Sequence, residues 1–499
     1  MRKRICLAAC GGLAAATIGV FGAAAPASAS PASPVVGYTY INDNTATANT
    51  IAGFDRHADG SLTPIPGSPF TAGGAGLGAG LASQGAIQVT SDGRYLLAVD
   101  AGSNQISVLR ITANGVPVLA GQPVSSGGIK PVSVAVSPFG LVYVANSGAG
   151  GSGYFGFRLN PAGKLIPVPG STVTVPDGSG LGDVFFNATG DRVIGTRTGT
   201  SQIDSFVVLS NGRLAAAQGS PFTGQGLGQL GAEFSPVNPS QLFVSNAHNG
   251  ALLGTVSAYN DSFSGQLTSI GSSPYADLQT APCWVEISHD GQYLFTVNTG
   301  SGNISSYAIN PDGSLALIGS FSISGGGADI DARLSPDGNY LLVDGSGHNF
   351  VSVFAVNGGN LTELTVADDP AAAAPNDVLA WASTNAARSS PPARIAMSAV
   401  QAASTPRRAH GLVGRAGCAV SPATRMPVAE NPPEWSYARQ ATRRPVVACR
   451  ASLACRLEGR LDKARGQVGV MAVWQPGHVP GPPLWAGPVT RAGIPGCCS

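Results

Sequence analysis

The chain of 499 residues has a formal net charge of +1, with 43% hydrophobic and only 11% charged residues, and it contains 68 Gly and 37 Pro. Helix-favouring Glu, Lys and Met are scarce, which excludes a large helical protein and points to a turn-rich β protein. The near-zero total hides three segments, at +3 over residues 1–29, −13 over 30–384 and +11 over 385–499; the acidic body has no basic stripe, which excludes nucleic acid as its partner.

Residues 1–29 read as a secretory signal peptide. Arg2-Lys3-Arg4 is the positive start, Ile5 to Ala25 contains the apolar stretch, and Ala27-Ser28-Ala29 is a small-x-small cleavage site. Export to the extracellular side is therefore expected. A transmembrane anchor is not, because the stretch is Ala- and Gly-rich and nothing comparable follows. The body beyond it keeps one cysteine, Cys283, so neither a disulfide framework nor a cysteine-based metal cluster is expected.

From residue 35 a single unit repeats. An apolar run is followed by a turn, then by three more runs. The first turn occurs at Thr90-Ser91-Asp92-Gly93, Ser137-Pro138-Phe139-Gly140, Asn187-Ala188-Thr189-Gly190, Ser235-Pro236-Val237-Asn238, Ser288-His289-Asp290-Gly291 and Ser335-Pro336-Asp337-Gly338. These are spaced 47, 50, 48, 53 and 47 residues apart, the length of a four-stranded propeller blade. A second turn, of Asp59-Gly60 or Asn114-Gly115 type, occurs seven times, and Gly67-Ser68-Pro69-Phe70 returns at 219–222. The expected fold is all-β: a seven-bladed β-propeller of four-stranded blades over residues 30–384. The first blade begins at its second strand, Val35 to Ile41, and its missing innermost strand is supplied by Asp377 to Ser383, closing the ring and removing exposed sheet edges.

Residues 385–499 lose the repeat. They hold 14 Arg against one Lys, five of the eight Cys and abundant Pro, Ala and Gly. Pro recurs too often for a packed domain. The tail reads either as a disordered basic extension for acidic polymers or membrane surfaces, or as non-native sequence from a reading-frame error.

Three segments carry a resemblance. Ser335 to Val343 (SPDGNYLLV), Gly291 to Asn298 (GQYLFTVN) and Leu141 to Asn146 (LVYVAN) are similar to repeats of the seven-bladed lactonase family, with its 6-phosphogluconolactonase-like and carboxymuconate-cyclising members. The resemblance runs over the whole body and rests mainly on structural turns. It implies a set of site positions. Where the family has paired His residues at the start of the third blade, this chain has Lys130-Pro131-Val132. Where the family has Arg-His, it has Gly182-Asp183. Family Asn-Glu corresponds to Arg197-Thr198, Asn-Arg to Asn246-Ala247, and Pro-Arg to Pro282-Cys283. The family's imidazole and charged groups are missing at these positions, which points to loss of the family reaction.

The residues themselves suggest other sites. On each inner strand the first and third positions before the turn are apolar, the period-2 pattern of a half-buried strand. The second position reads Gln88, Ala135, Phe185, Glu233, Glu286 and Arg333, and the fourth adds Asp183, Trp284 and Asp331. Glu233, Glu286 and Arg333 are therefore expected to meet at the central channel. They would form either an acid–base pair with an anion-binding Arg or a structural ion network between blades. The second strands end in Asn42, Asp100, Asn146, Arg197, Asn246, Asn298 and Asp344, which suggests Asx turns, with Arg197 as the exception and a candidate anion anchor. Asp183, Trp284 and Asp331 complete the candidate ligand-binding set. His57, His248, His289 and His348 lack metal-ligand spacing, and no cofactor motif or metal site is expected. The leading expectation is a secreted, monomeric, lactonase-like propeller that binds a small molecule, sugar acid or cell-wall polymer. The alternatives are a lactone hydrolase or cycloisomerase using Glu233, Glu286 and Arg333, and a surface adhesion propeller.

Overall fold

Each blade grows from the turn that follows its inner strand. In the second blade Thr90 Oγ1 donates to Asp92 Oδ1 at 2.6 Å, Asp92 accepts the Arg94 N–H at 3.0 Å, and Gly93 takes φ +64°, a conformation costly for a side chain with Cβ. Ser288 and Asp290 repeat these bonds in the sixth blade, as do Ser335 and Asp337 in the seventh. A turn in this place reverses the chain in each of blades 2 to 7. In the computed structural model the described residues are 33–324, 326, 331–345, 350–368 and 381–385. Residues 1–32, where a signal peptide is expected, and those beyond 385 lie outside them.

The described strands form seven antiparallel sheets arranged as a propeller, with no helix among the described residues. The inner strands are Trp381–Asn385 in blade 1, Ile87–Val89, Pro131–Val136, Leu181–Phe186, Gln229–Phe234, Pro282–Ile287 and Asp331–Leu334 in blades 2 to 7. Facing sheets bury their aromatic residues between blades, Tyr40, Tyr143, Tyr154, Phe243, Phe295 and Phe354 among them. Tyrosine hydroxyls stitch one blade to the next: Tyr95 to the Pro161 carbonyl at 2.9 Å and Tyr143 to that of Gly212 at 2.8 Å. At the closure, Tyr340 bonds the Ala58 carbonyl at 2.9 Å, and the buried Arg56 pairs with Asp337 at 3.1 Å.

Three sequence expectations are corrected in detail. The closing strand is described over Trp381–Asn385, so it runs two residues past the expected end at Ser383, and it pairs antiparallel with Val35–Asn42 from Ile41↔Trp381 to Gly37↔Asn385. Positions 377–380 lie outside the described residues. Blades 1 to 5 have a divided outer strand, such as Leu62–Pro64 followed by Phe70–Thr71. In blade 1 the Gly-Ser-Pro-Phe motif lies at this division, and Ser68 Oγ accepts the Gly53 N–H at 2.8 Å in place of the interrupted ladder. Ser220 does the same for Ser205, and Ser273 for Ala258. Blades 6 and 7 keep continuous outer strands, Leu315–Ser322 and Asn360–Asp368. Finally, the Asn and Asp residues ending the second strands are fully buried; Asn42 makes the expected Asx bond, its Oδ1 accepting the Asn44 N–H at 3.3 Å, whereas others bond sideways. Asn246 donates to Thr255 and Ser257, and Asn298 to Asn303 and Ser305, tying second strand to third.

Candidate functional site

The innermost strand of a blade has a free edge, and its N–H groups need acceptors. Side chains from the preceding blade supply them. Ser133 Oγ accepts the Val184 N–H at 3.2 Å, Asp183 Oδ2 accepts that of Ala232 at 3.2 Å, and Glu286 Oε1 accepts that of Leu334 at 2.9 Å. Glu233 accepts from Ile287 in the same way. Register shifts early in the inner strands of blades 3 to 6 set the phase in which these side chains emerge.

The expected convergence of Glu233, Glu286 and Arg333 is present. Arg333 Nη1 lies 3.0 Å from Glu286 Oε2, with side-chain exposures of 18% and 5%. Glu233, on the adjoining inner strand, lines the channel, partly exposed to it yet walled in by protein. Burial pushes its proton affinity well up, the Glu286 charge adds to this, and Arg333 opposes it. Glu286 is also raised by burial, against the pull of Arg333. Glu233 Oε2 has no hydrogen-bond partner among the described residues. Burial pushes Asp183 up to about 8, although Ala232, Ser133 and Val184 donate to it and Arg333 lies near. Asp331 is buried beside Arg333 and accepts the N–H of Ala332 at 2.8 Å.

A segment with no repeat pattern closes the end of the channel where the inner strands begin. Between blade 1 and blade 2 the chain crosses the channel, and Ser83 and Gln84 are buried there. Gln84 clamps Val285 with its side-chain amide: Oε1 accepts the N–H at 3.1 Å and Nε2 donates to the carbonyl at 3.1 Å. The Gln84 N–H donates to Gly182 O at 3.0 Å, Ser83 Oγ donates to Val132 O at 2.8 Å, and Trp284 Nε1 donates to Ser83 O at 3.0 Å. Gly231 makes room for this plug, since a Cβ there would lie 2.2 Å from Gln84 Oε1. Gln84 thus takes the part that Ser133 and Asp183 play on the preceding strands.

Trp284 is therefore bonded to the plug. Arg197 is 8% exposed, and its guanidinium forks onto Asp204 with Nε–Oδ2 at 2.7 Å and Nη2–Oδ1 at 2.6 Å. Tyr154, from blade 3, adds a bond to Asp204 at 2.8 Å. The anion anchor expected on the ring face is thus turned inward and occupied. The opposite, turn-side end of the channel holds a cavity of about 200 Å³ with no charged residue in its lining, which includes Gln88, Ala135, Pro138 and Phe185.

Comparison with known proteins agrees with the expected resemblance. The family described as lactonase, 7-bladed beta-propeller, matches residues 234–375, from the end of the fifth inner strand through the seventh blade. No curated protein matches the chain. Among solved structures, a candidate 6-phosphogluconolactonase from Bacteroides uniformis is 21% identical with a TM-score of 0.56, covering 70% of this chain and 100% of that one. A protein from Lactobacillus plantarum is 20% identical with a TM-score of 0.56, covering 70% and 99%. The periplasmic gluconolactonase PpgL of Pseudomonas aeruginosa is 17% identical with a TM-score of 0.54, covering 69% and 99%. At these identities the likeness is one of fold.

Proposed function

We propose that this lactonase-like propeller is an exported binding protein that does not carry out the ring opening associated with its relatives. The plug is the observation that supports this most strongly. Ser83 and Gln84 bond to Val132 and Gly182, at two of the positions where the resemblance puts the family's imidazole and guanidinium groups, and to Val285, two residues beyond a third at Cys283. A substrate approaching that end meets a backbone already hydrogen-bonded. Inside the channel, Arg333 is neutralised by Glu286, and both Glu286 oxygens are engaged, one by Arg333 and one by Leu334. A group that catalyses must be able to change partners during the reaction, whereas these bonds hold blade edges together.

One observation favours a lactone hydrolase as second reading: burial pushes the proton affinity of Glu233 well up, and its Oε2 has no partner among the described residues, beside the channel and near an Arg. Acid release from sugar-acid and aliphatic lactones separates the two. The full chain is expected to give the uncatalysed rate with every lactone. Turnover that Glu286→Gln abolishes would replace this reading with the enzyme.

A further inference from the structure

The turn-side mouth has the makings of a small-molecule site. On three successive inner strands the channel-facing positions are Gln88, Ala135 and Phe185. The single methyl of Ala135 between two longer side chains leaves the recess of about 200 Å³, which Val136, Pro138 and Asn187 help to line. That space matches roughly six or seven waters of liquid volume and is smaller than the usual drug-sized pocket. Gln88 is half-buried, and its side-chain amide makes no hydrogen bond among the described residues. One strand beyond Phe185, the buried Glu233 Oε2 is also without a partner.

Charge settles the ligand class. No lining residue is ionisable, and the guanidinium of Arg333, in the other half of the channel wall, is already matched by Glu286 at 3.0 Å. A ligand ion would be desolvated there with no partner. The amide of Gln88, in contrast, offers a donor and an acceptor together, and Phe185 offers an aromatic face.

We propose that this mouth binds a compact, uncharged ring compound bearing one amide, carbonyl or hydroxyl group, with its ring against Phe185 and Val136 and its polar group on the Gln88 amide. The proposal rests on the reading of the chain as a binding propeller and adds the place and the ligand class.

Benzamide and benzoate test it, because they share size and shape and differ in charge. With the full chain, ligand-observed NMR titration is expected to give a Kd for benzamide at least tenfold below that for benzoate. Gln88→Leu should raise the benzamide Kd about three- to tenfold, as loss of one hydrogen bond would. Ala135→Phe should abolish binding by filling the recess, and its melting temperature shows whether the fold survives; should that variant unfold, Gln88→Leu still decides. Equal binding by wild type and Gln88→Leu, or benzoate binding as tightly as benzamide, would overturn the proposal. Absence of benzamide binding together with absence of lactone turnover would sink this site alone. Turnover by a protein that still binds benzamide would sink only the non-catalytic reading.

Discussion

The two halves of the channel wall follow one backbone plan and carry opposite chemistry. Blades 5 to 7 present Glu233, Glu286 and Arg333 at the level where blades 2 to 4 present Gln88, Ala135 and Phe185. In the charged half the carboxylates bond the edge N–H groups of the next inner strand. In the uncharged half this work is done one layer away, by Ser133 and Asp183, and the channel-facing positions stay free. Charge in a propeller channel therefore need not mark catalysis; here it stands where the fold lacks a hydrogen-bond partner.

The sharpest way to break this comparison is at the junction of the two halves, where Gly231 and the plug meet. Gly231→Ala would put a Cβ 2.2 Å from Gln84 Oε1 and 2.7 Å from Cys283 O. Loss of about 3 kcal/mol in denaturant melts is expected, because the clamp must open. Gln84→Ala keeps the space but leaves Val285 N–H and C=O unpaired, so about 2 kcal/mol is expected. A cost near zero for both would show that the segment is not a plug.

Asp183 sharpens the comparison through pH. Its carboxyl, ordinarily near 3.8, is pushed up to about 8 in the fold, so the native state holds a proton that the unfolded chain releases. Stability from this group is complete below pH 4 and declines as pH rises towards 8. Asp183→Asn, which stays neutral, should flatten that decline and gain on wild type by about 1–3 kcal/mol at pH 8. Parallel stability profiles for the two proteins would refute the assignment.

The smallest effect lies at the rim. Ser68→Ala removes the acceptor of the Gly53 N–H and should cost about 1 kcal/mol in melting experiments. A comparable Ser→Ala change at Ser320, on the continuous outer strand of blade 6, should cost much less.

Much of this was legible in the sequence. Repeated turns gave the blades, and period-2 alternation placed Glu233, Glu286 and Arg333 on one level, where the structure joins two of them at 3.0 Å. The plug was not legible, because the Gly- and Ala-rich connection from Ala72 to Ala86 has no period. Its one signal was Gly231, the only position without a side chain among Ser133, Asp183, Trp284 and Asp331. Arg197 was misplaced because its partner Asp204 sits on the next strand, beside Gly195, whose missing side chain admits Tyr154. The split outer strands were hidden because Gly-Ser-Pro-Phe looks like a strand ending and works as a hydrogen-bonding substitute.

The central claim, that the channel ions are structural bonds between blades, is tested most directly by a double-mutant cycle on Glu286 and Arg333, followed by denaturant melting at pH 7. Arg333→Met leaves Glu286 buried without its cation, and Glu286→Gln removes the one carboxylate paired with Arg333 at 3.0 Å, leaving it only the neighbouring charges of Asp331, Glu233 and Asp183. Each is expected to cost about 3 kcal/mol, and the double variant less than the two combined, giving a coupling of about 1–3 kcal/mol. Single variants as stable as wild type, with no coupling between them, would contradict the account.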